Sequence, residues 1–118
     1  MELIALLSKR DENETWGQVS GLIKHGDWEN IIILGDAEAK KFTAEKPFEF
    51  IEVDLTKKLR DLKDDFIKKL RGKIEGTEVA LSIASGDGKE HMSLISALIN
   101  LPVGIRFAAL TKDGVIDL

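Results

Sequence analysis

The chain reads as an α/β protein with a Rossmann-like, mostly parallel, doubly wound sheet and a C-terminal antiparallel hairpin. Three observations predict this. Short, continuous apolar runs at residues 3–7, 31–34 and 79–84 suit strands buried on both faces. Segments with a three-to-four-residue apolar period lie among them, as right-handed crossovers between parallel strands require. Near the end, Lys112-Asp113-Gly114 separates two apolar segments, the mark of a tight turn between antiparallel strands. With 118 residues, the whole of 1–118 forms a single domain.

Taken in order, strand one covers residues 3–7 and gives way to the polar loop 8–14. Thr15 is placed to cap a helix carrying Trp16, Val19, Leu22 and Ile23 at helical spacing, with Gly26 near its end. Strand two, 31–34, is stopped by Gly35-Asp36. Residues 37–43 are weakly helical, and Pro47 marks the next boundary. In 48–53, Phe48, Phe50 and Ile51 mix with Glu49 and Glu52, which predicts a less deeply buried strand. The clearest helix runs over 56–71. Leu55, Leu59, Leu62, Phe66, Leu70 and Ile74 step by fours and threes into one apolar stripe, and Gly72 ends it. Asp64 to Lys68 and Asp65 to Lys69 are i,i+4 pairs worth about 0.2–0.5 kcal/mol each. Then come a strand at 79–84, a helix at 88–99 closed by Pro102, a strand at 103–110 and a terminal strand at 115–118.

Composition narrows the function. The hydrophobic fraction of 43% supports a real core. The absence of Cys excludes disulfides, thiolate metal sites and thiol nucleophiles, and two isolated histidines predict no metal and no other cofactor. A net charge of −4 disfavours a coat for duplex nucleic acid, while leaving room for one local basic pocket. The opening apolar run is too short for a signal segment and no run approaches membrane-spanning length, so the expectation is a cytoplasmic protein without membrane contact.

Ser85-Gly86-Asp87-Gly88-Lys89 is the most informative stretch. A strand ends there and a helix begins, the geometry that presents backbone N–H groups and a partial positive charge to an anion. Glycines let the backbone approach a phosphate, and Ser85 and Lys89 supply donors. The plainer alternative is an ordinary βα turn with Asp87 or Gly88 as helix cap and Lys89 solvated. The spacing is neither that of a P-loop nor that of the dinucleotide fingerprint. In doubly wound sheets ligands bind beyond the carboxyl ends of strands where strand order reverses. If strands one and four flank that point, the loop 8–14 meets the turn 85–89 there, bringing Ser8, Lys9 and Arg10 beside it. The alternative for that loop is a solvated segment paired with its own acids Asp11, Glu12 and Glu14. Asp36 reads either as a ribose-binding acid or as a plain turn. His91 reads as a surface or interface residue more than as a base, His25 as a helix-end residue, and Trp16 and Trp28 as packing residues.

Residues 79–118 resemble the second half of a CARF domain, the CRISPR-associated Rossmann-like sensor of cyclic oligoadenylates. That family shows an apolar strand, a Thr-Gly-Gly-Thr-Lys-like turn, a Met-containing apolar helix and a closing strand–turn–strand. Here Ser85 stands at the Thr, Gly86 at the first Gly, Lys89 at the Lys and Met92-Ser93-Leu94 at the helix start. Phe107 through Ile116 stand at the closing hairpin. Asp87 and Gly88 depart from the pattern, bringing a negative charge and removing a hydroxyl, and Met92 falls one residue late. The first two-thirds match only in the order of elements.

The resemblance implies a homodimer that binds a cyclic oligoadenylate-type nucleotide across its axis, as a stand-alone sensor or sink in antiviral defence. Its ligand-binding residues would be Ser8, Lys9, Arg10, Ser85, Gly86, Gly88 and Lys89. The helix at 88–99, apolar nearly all round, is expected to be covered on more than one side, by the core and by a second copy. Two alternatives stand beside this. One is a metal-independent ring nuclease that cleaves the ligand by attack of a ribose 2′-hydroxyl on the adjacent phosphate. The other is a non-binding interaction domain with a degenerate pocket.

Overall fold

The computed structural model describes residues 1–118. The elements are β1 (Glu2–Leu7), α1 (Glu12–His25), β2 (Ile31–Gly35), β3 (Glu49–Glu52), α2 (Leu59–Leu70), β4 (Glu78–Ser82), α3 (Gly88–Asn100), β5 (Gly104–Thr111) and β6 (Gly114–Asp117). Short 3-10 turns at Lys9–Asp11 and Ala37–Lys41 follow β1 and β2. The six strands form one sheet in the order β3-β2-β1-β4-β5-β6, parallel throughout except for the antiparallel β5–β6 pair. This is the doubly wound, Rossmann-like architecture expected from the alternating elements.

Strand β1 shows why the sheet has helices on both faces. All six of its residues are buried, and side chains alternate across a strand. Ile4 and Leu6 join Ile32, Leu34, Val79 and Leu81 in a core with Leu62, Phe66 and Leu70 of α2 and Leu94, Ala97 and Leu98 of α3. Leu3, Ala5 and Leu7 join Ile31, Ile33 and Ala80 in a second core with Trp16, Val19, Leu22 and Ile23 of α1. A continuous apolar run is thus read twice, once by each face. Edge strand β3 is only partly buried, as its mixed sequence predicts.

Boundaries moved in several places. Helix α1 starts at Glu12, not at Thr15; the Thr15 hydroxyl donates to the Asp11 carbonyl (3.4 Å) from within the first turn. Helix α2 starts at Leu59 because Asp54 accepts from the Thr56 amide (3.0 Å) and hydroxyl (2.6 Å), holding 54–57 as a turn. Leu55 is still buried, whereas Leu59 is 43% exposed and falls off the predicted stripe. Of the two expected ion pairs, Asp65–Lys69 forms (3.3 Å), while Asp64 faces Lys63 (3.1 Å). Strand β4 ends at Ser82 because its pairing with β1 stops at Ala5↔Ser82 and with β5 at Leu81↔Phe107. Helix α3 is not covered on every side: Met92 and Ile99 are 58% and 61% exposed. No helix is long and apolar enough to cross a membrane.

Candidate functional site

Strands β1 and β4 are neighbours in the middle of the sheet, although β2 and β3 intervene in the chain. Strand order reverses between them, so the segments leaving their carboxyl ends part to opposite faces and open a corner. The 8–11 segment and the Ser85–Gly86 turn meet in it, as expected. The Ser8 amide donates to Ser85 Oγ (2.8 Å), and the buried Ser85 hydroxyl donates to Asp11 Oδ1 (2.5 Å). Gly86 N donates to Asp11 Oδ2 (2.9 Å). One carboxylate therefore sits in a small nest of donors at the strand end. Trp16 fixes the first loop from beneath, its Nε1–H donating to the Ser8 carbonyl (2.9 Å). Gly86 has φ +100°, and a Cβ there would lie 2.6 Å from Leu6 Cδ2 and 2.9 Å from Glu90 Oε1. Both the turn and the close approach require glycine.

The start of α3 is sealed by a capping box. Glu90 N donates to Asp87 Oδ1 (2.9 Å) and Asp87 N donates to Glu90 Oε1 (3.1 Å). Arg10 crosses from the first loop and places Nη2 3.1 Å from Asp87 Oδ2 and 3.2 Å from Glu90 Oε2. Glu90 is 3% exposed. Burial pushes its carboxyl above the ordinary glutamate range and the nearby Asp87 charge adds to that, against the opposing pull of the Asp87 amide and Arg10. Asp87 moves the other way, held down first by the Glu90 amide and then by Arg10. The amides of Gly88 and Lys89, at the helix start, have no partner in the protein, and a Cβ on Gly88 would meet only open space. His91 donates from Nε2 to the Ser85 carbonyl (2.8 Å), which spends that nitrogen on bracing the turn.

The corner thus gathers Ser8, Arg10, Ser85, Gly86 and Gly88. Two predicted residues are engaged elsewhere. Lys89 Nζ donates to the carbonyls of Leu55 (2.9 Å) and Lys57 (2.8 Å), tying α3 to the turn before α2. Lys9 pairs with Glu38 (2.5 Å), and its amide donates to Asp36 (3.0 Å). Asp36 also caps the following 3-10 turn through Ala39 N (3.2 Å), the plain-turn role. Nor does the first loop pair with its own acids: Arg10 reaches across to β4's turn. Two functional acids escaped sequence reasoning, Asp11 and Glu90. Asp87-x-x-Glu90 carries the capping-box signature in plain view; Asp11 carries no local signal. The three carboxylates do not converge as a cation site, since Asp11 faces the donors of Ser85 and Gly86 while Asp87 and Glu90 face each other's amides and Arg10.

A cavity of about 510 Å³ adjoins the corner, between Ser82–Ala84 at and just past the end of β4 and Phe107–Ala109 of β5. Another, of about 430 Å³, lies at the opposite end of the sheet around Trp28, Phe48 and Lys73. Neither a family model nor a curated protein matches the sequence. Fold and site define a doubly wound α/β domain whose switch-point corner holds the carboxylate of Asp11.

Proposed function

We propose that the chain binds a cyclic oligoadenylate-type nucleotide at the β1–β4 corner, across a homodimer, as a sensor or sink for that messenger. One observation carries this: the Ser85 hydroxyl and Gly86 amide already hold an anion, the carboxylate of Asp11. A phosphate oxygen presents the same acceptor chemistry and displaces that carboxylate when it enters. The amides of Gly88 and Lys89 have no partner in the protein, and the exposed guanidinium of Arg10 pairs with Asp87 and Glu90 at the same turn. Lys89 has no direct part in this reading, because its ammonium is occupied beneath the turn. The resemblance of residues 79–118 to a CARF domain supplies the identity of the nucleotide.

A second reading has its own observation. The Ser85, Gly86, Asp87 and Glu90 donors are all satisfied internally, so the same corner serves as a finished structural joint in a non-binding interaction domain.

Thermal shift and calorimetry with cyclic tetra-adenylate on the wild type and on Asp11→Asn separate the two. If the corner binds, ligand at 100 times its dissociation constant stabilises the wild type by about 2.7 kcal/mol. Asp11→Asn, which removes the competing charge, binds more tightly than the wild type. If neither protein is stabilised by cyclic tetra- or hexa-adenylate, the messenger reading falls and the joint remains. Linear products in the same incubations would convert the sensor into a ring nuclease.

A further inference from the structure

Charge is unevenly spread over this chain. Residues 57–73, which cover α2 and its ends, hold eight of the seventeen Lys and Arg but only three of the twenty-one Asp and Glu. A strongly basic segment thus sits in a chain whose net charge is −4. Most cations are spent inside the molecule, paired with an acid or, like Lys46 and Lys89, donating to backbone carbonyls. Lys58, Arg60, Lys68, Arg71 and Lys112 have neither kind of partner, and all but Lys112 belong to the α2 segment. Each of those four is exposed.

Local structure explains the surplus. Lys68 lies one turn beyond Asp64, but Asp64 turns to Lys63 (3.1 Å). Asp65 is drawn between Lys57 (3.6 Å) and Lys69 (3.3 Å). At about 100° per residue, Arg60, Lys68 and Arg71 fall within about 80° of one another, on the side of α2 away from buried Leu62, Phe66 and Leu70. Arg60 and Arg71 stand three turns apart, about 16 Å along the axis. The neighbouring helix α3 brings no counter-charge, because its one acid, Glu90, is buried.

We propose that this stripe docks an acidic segment of a partner protein, a helix laid along α2 whose carboxylates meet Arg60, Lys68 and Arg71. Two observations favour a protein over other polyanions. Asp64 stands within the stripe and Asp61 beside it; both repel the unbroken phosphate charge of a nucleic acid, whereas a protein segment answers them with its own cations. From Arg60 to Arg71, α2 exposes no large apolar side chain to anchor in a bilayer. The ion pairs would be open to solvent, so each is weak and screened by salt. Such a surface suits a transient, electrostatically steered partner. It requires nothing of the nucleotide corner.

Fluorescence anisotropy at low salt tests the stripe, using a labelled helical peptide with glutamates at the two- and three-turn spacing of the cations. The same peptide with glutamine for glutamate, polyuridylate and phosphatidylserine vesicles are the comparisons. The wild type binds the glutamate peptide about tenfold more tightly than the glutamine one, and added salt weakens it. Each exposed pair removed costs about two- to fivefold, so the triple variant Arg60→Gln, Lys68→Gln, Arg71→Gln loses about tenfold to a hundredfold. Its melting temperature is unchanged, since none of the three side chains bonds within the chain. Reversing the charges, with Arg60→Glu, Lys68→Glu, Arg71→Glu, transfers binding to a peptide carrying lysine for glutamate, which a merely structural role would not do. Equal binding of the glutamate and glutamine peptides overturns the assignment, and so does undiminished binding by the neutralised variant. Should that variant fail to fold, the comparison of the two peptides on the wild type decides. If polyuridylate or the vesicles bind more tightly than the glutamate peptide and lose that binding in the same variant, the stripe serves a nucleic acid or a bilayer and the protein partner falls.

Discussion

Glu90 shows how much one side chain is asked to do at the corner. Its carboxylate caps the Asp87 amide and faces Arg10 while nearly buried. Because burial raises its folded-state pKa above the unfolded value, the folded protein holds the Glu90 proton more tightly. Stability from this group is therefore fully present below the ordinary glutamate value and falls as pH rises through the window up to the raised one. Asp87 has the opposite sign, contributing stability above the ordinary aspartate value that is lost as pH falls. A Glu90→Gln protein retains Asp87, so the difference between the two proteins isolates Glu90. Urea unfolding across the acid-to-neutral range should show the wild type's advantage over Glu90→Gln shrinking as pH rises and then levelling off. An advantage that grows with pH would contradict the burial argument. At this scale the sequence was half legible. The capping box is local and readable, but Asp11 meets Ser85 across 74 residues of chain, a contact only the sheet order creates. Lys89 misled for the same reason, since the carbonyls that hold it belong to a turn more than thirty residues earlier.

Among the elements, α2 shows where periodicity stops being informative. Leu59, Leu62, Phe66 and Leu70 all fit one stripe, yet Leu62, Phe66 and Leu70 are fully buried while Leu59 is open to solvent. The Asp54–Thr56 turn delays the helix start, so Leu59 becomes its first residue, at the rim of the groove between α2 and α3. Leu55, ahead of the turn, reaches the core in its place. Two truncations with the same chemistry should then differ sharply. Leu62→Ala leaves a cavity and costs about 2–5 kcal/mol, whereas Leu59→Ala stays within about 0.5 kcal/mol. Equal shifts in urea midpoint would show that the stripe, and not the turn, governs burial. The strands were read more accurately than the helix starts because β1, β2 and β4 are continuous apolar runs whose interiors need no cap to define them. Their ends depend on which neighbours continue alongside, and that is why β4 stops short of Ala84.

For the molecule as a whole, the outer face of α3 joins the corner to the proposed dimer. Met92 and Ile99 lie seven residues apart, two helical turns on one face, and Leu59 of α2 lines the same groove as Met92. Single exposed apolar residues are ordinary on protein surfaces. Three on adjoining helices, with Met92 one turn and Ile99 nearly three turns beyond the unpartnered amide of Lys89, are a coherent place for a second copy. A standard interface takes about 800 Å² from each partner. That is about an eighth of this chain's 6460 Å². An isologous contact along α3 would carry two corners toward one axis, doubling Arg10 and the free helix amides around a cyclic ligand. It would also bring together two chains of charge −4, so association should strengthen as salt screens their repulsion. Light scattering should accordingly report twice the 13.1 kDa chain mass, most completely at high salt. The double variant Met92→Glu, Ile99→Glu should return the single-chain mass with little change in melting temperature, since both side chains are mostly solvated within one chain. A wild type that stays at the single-chain mass at every salt and protein concentration would remove the dimer, and with it the doubled charge on which ligand capture across an axis depends.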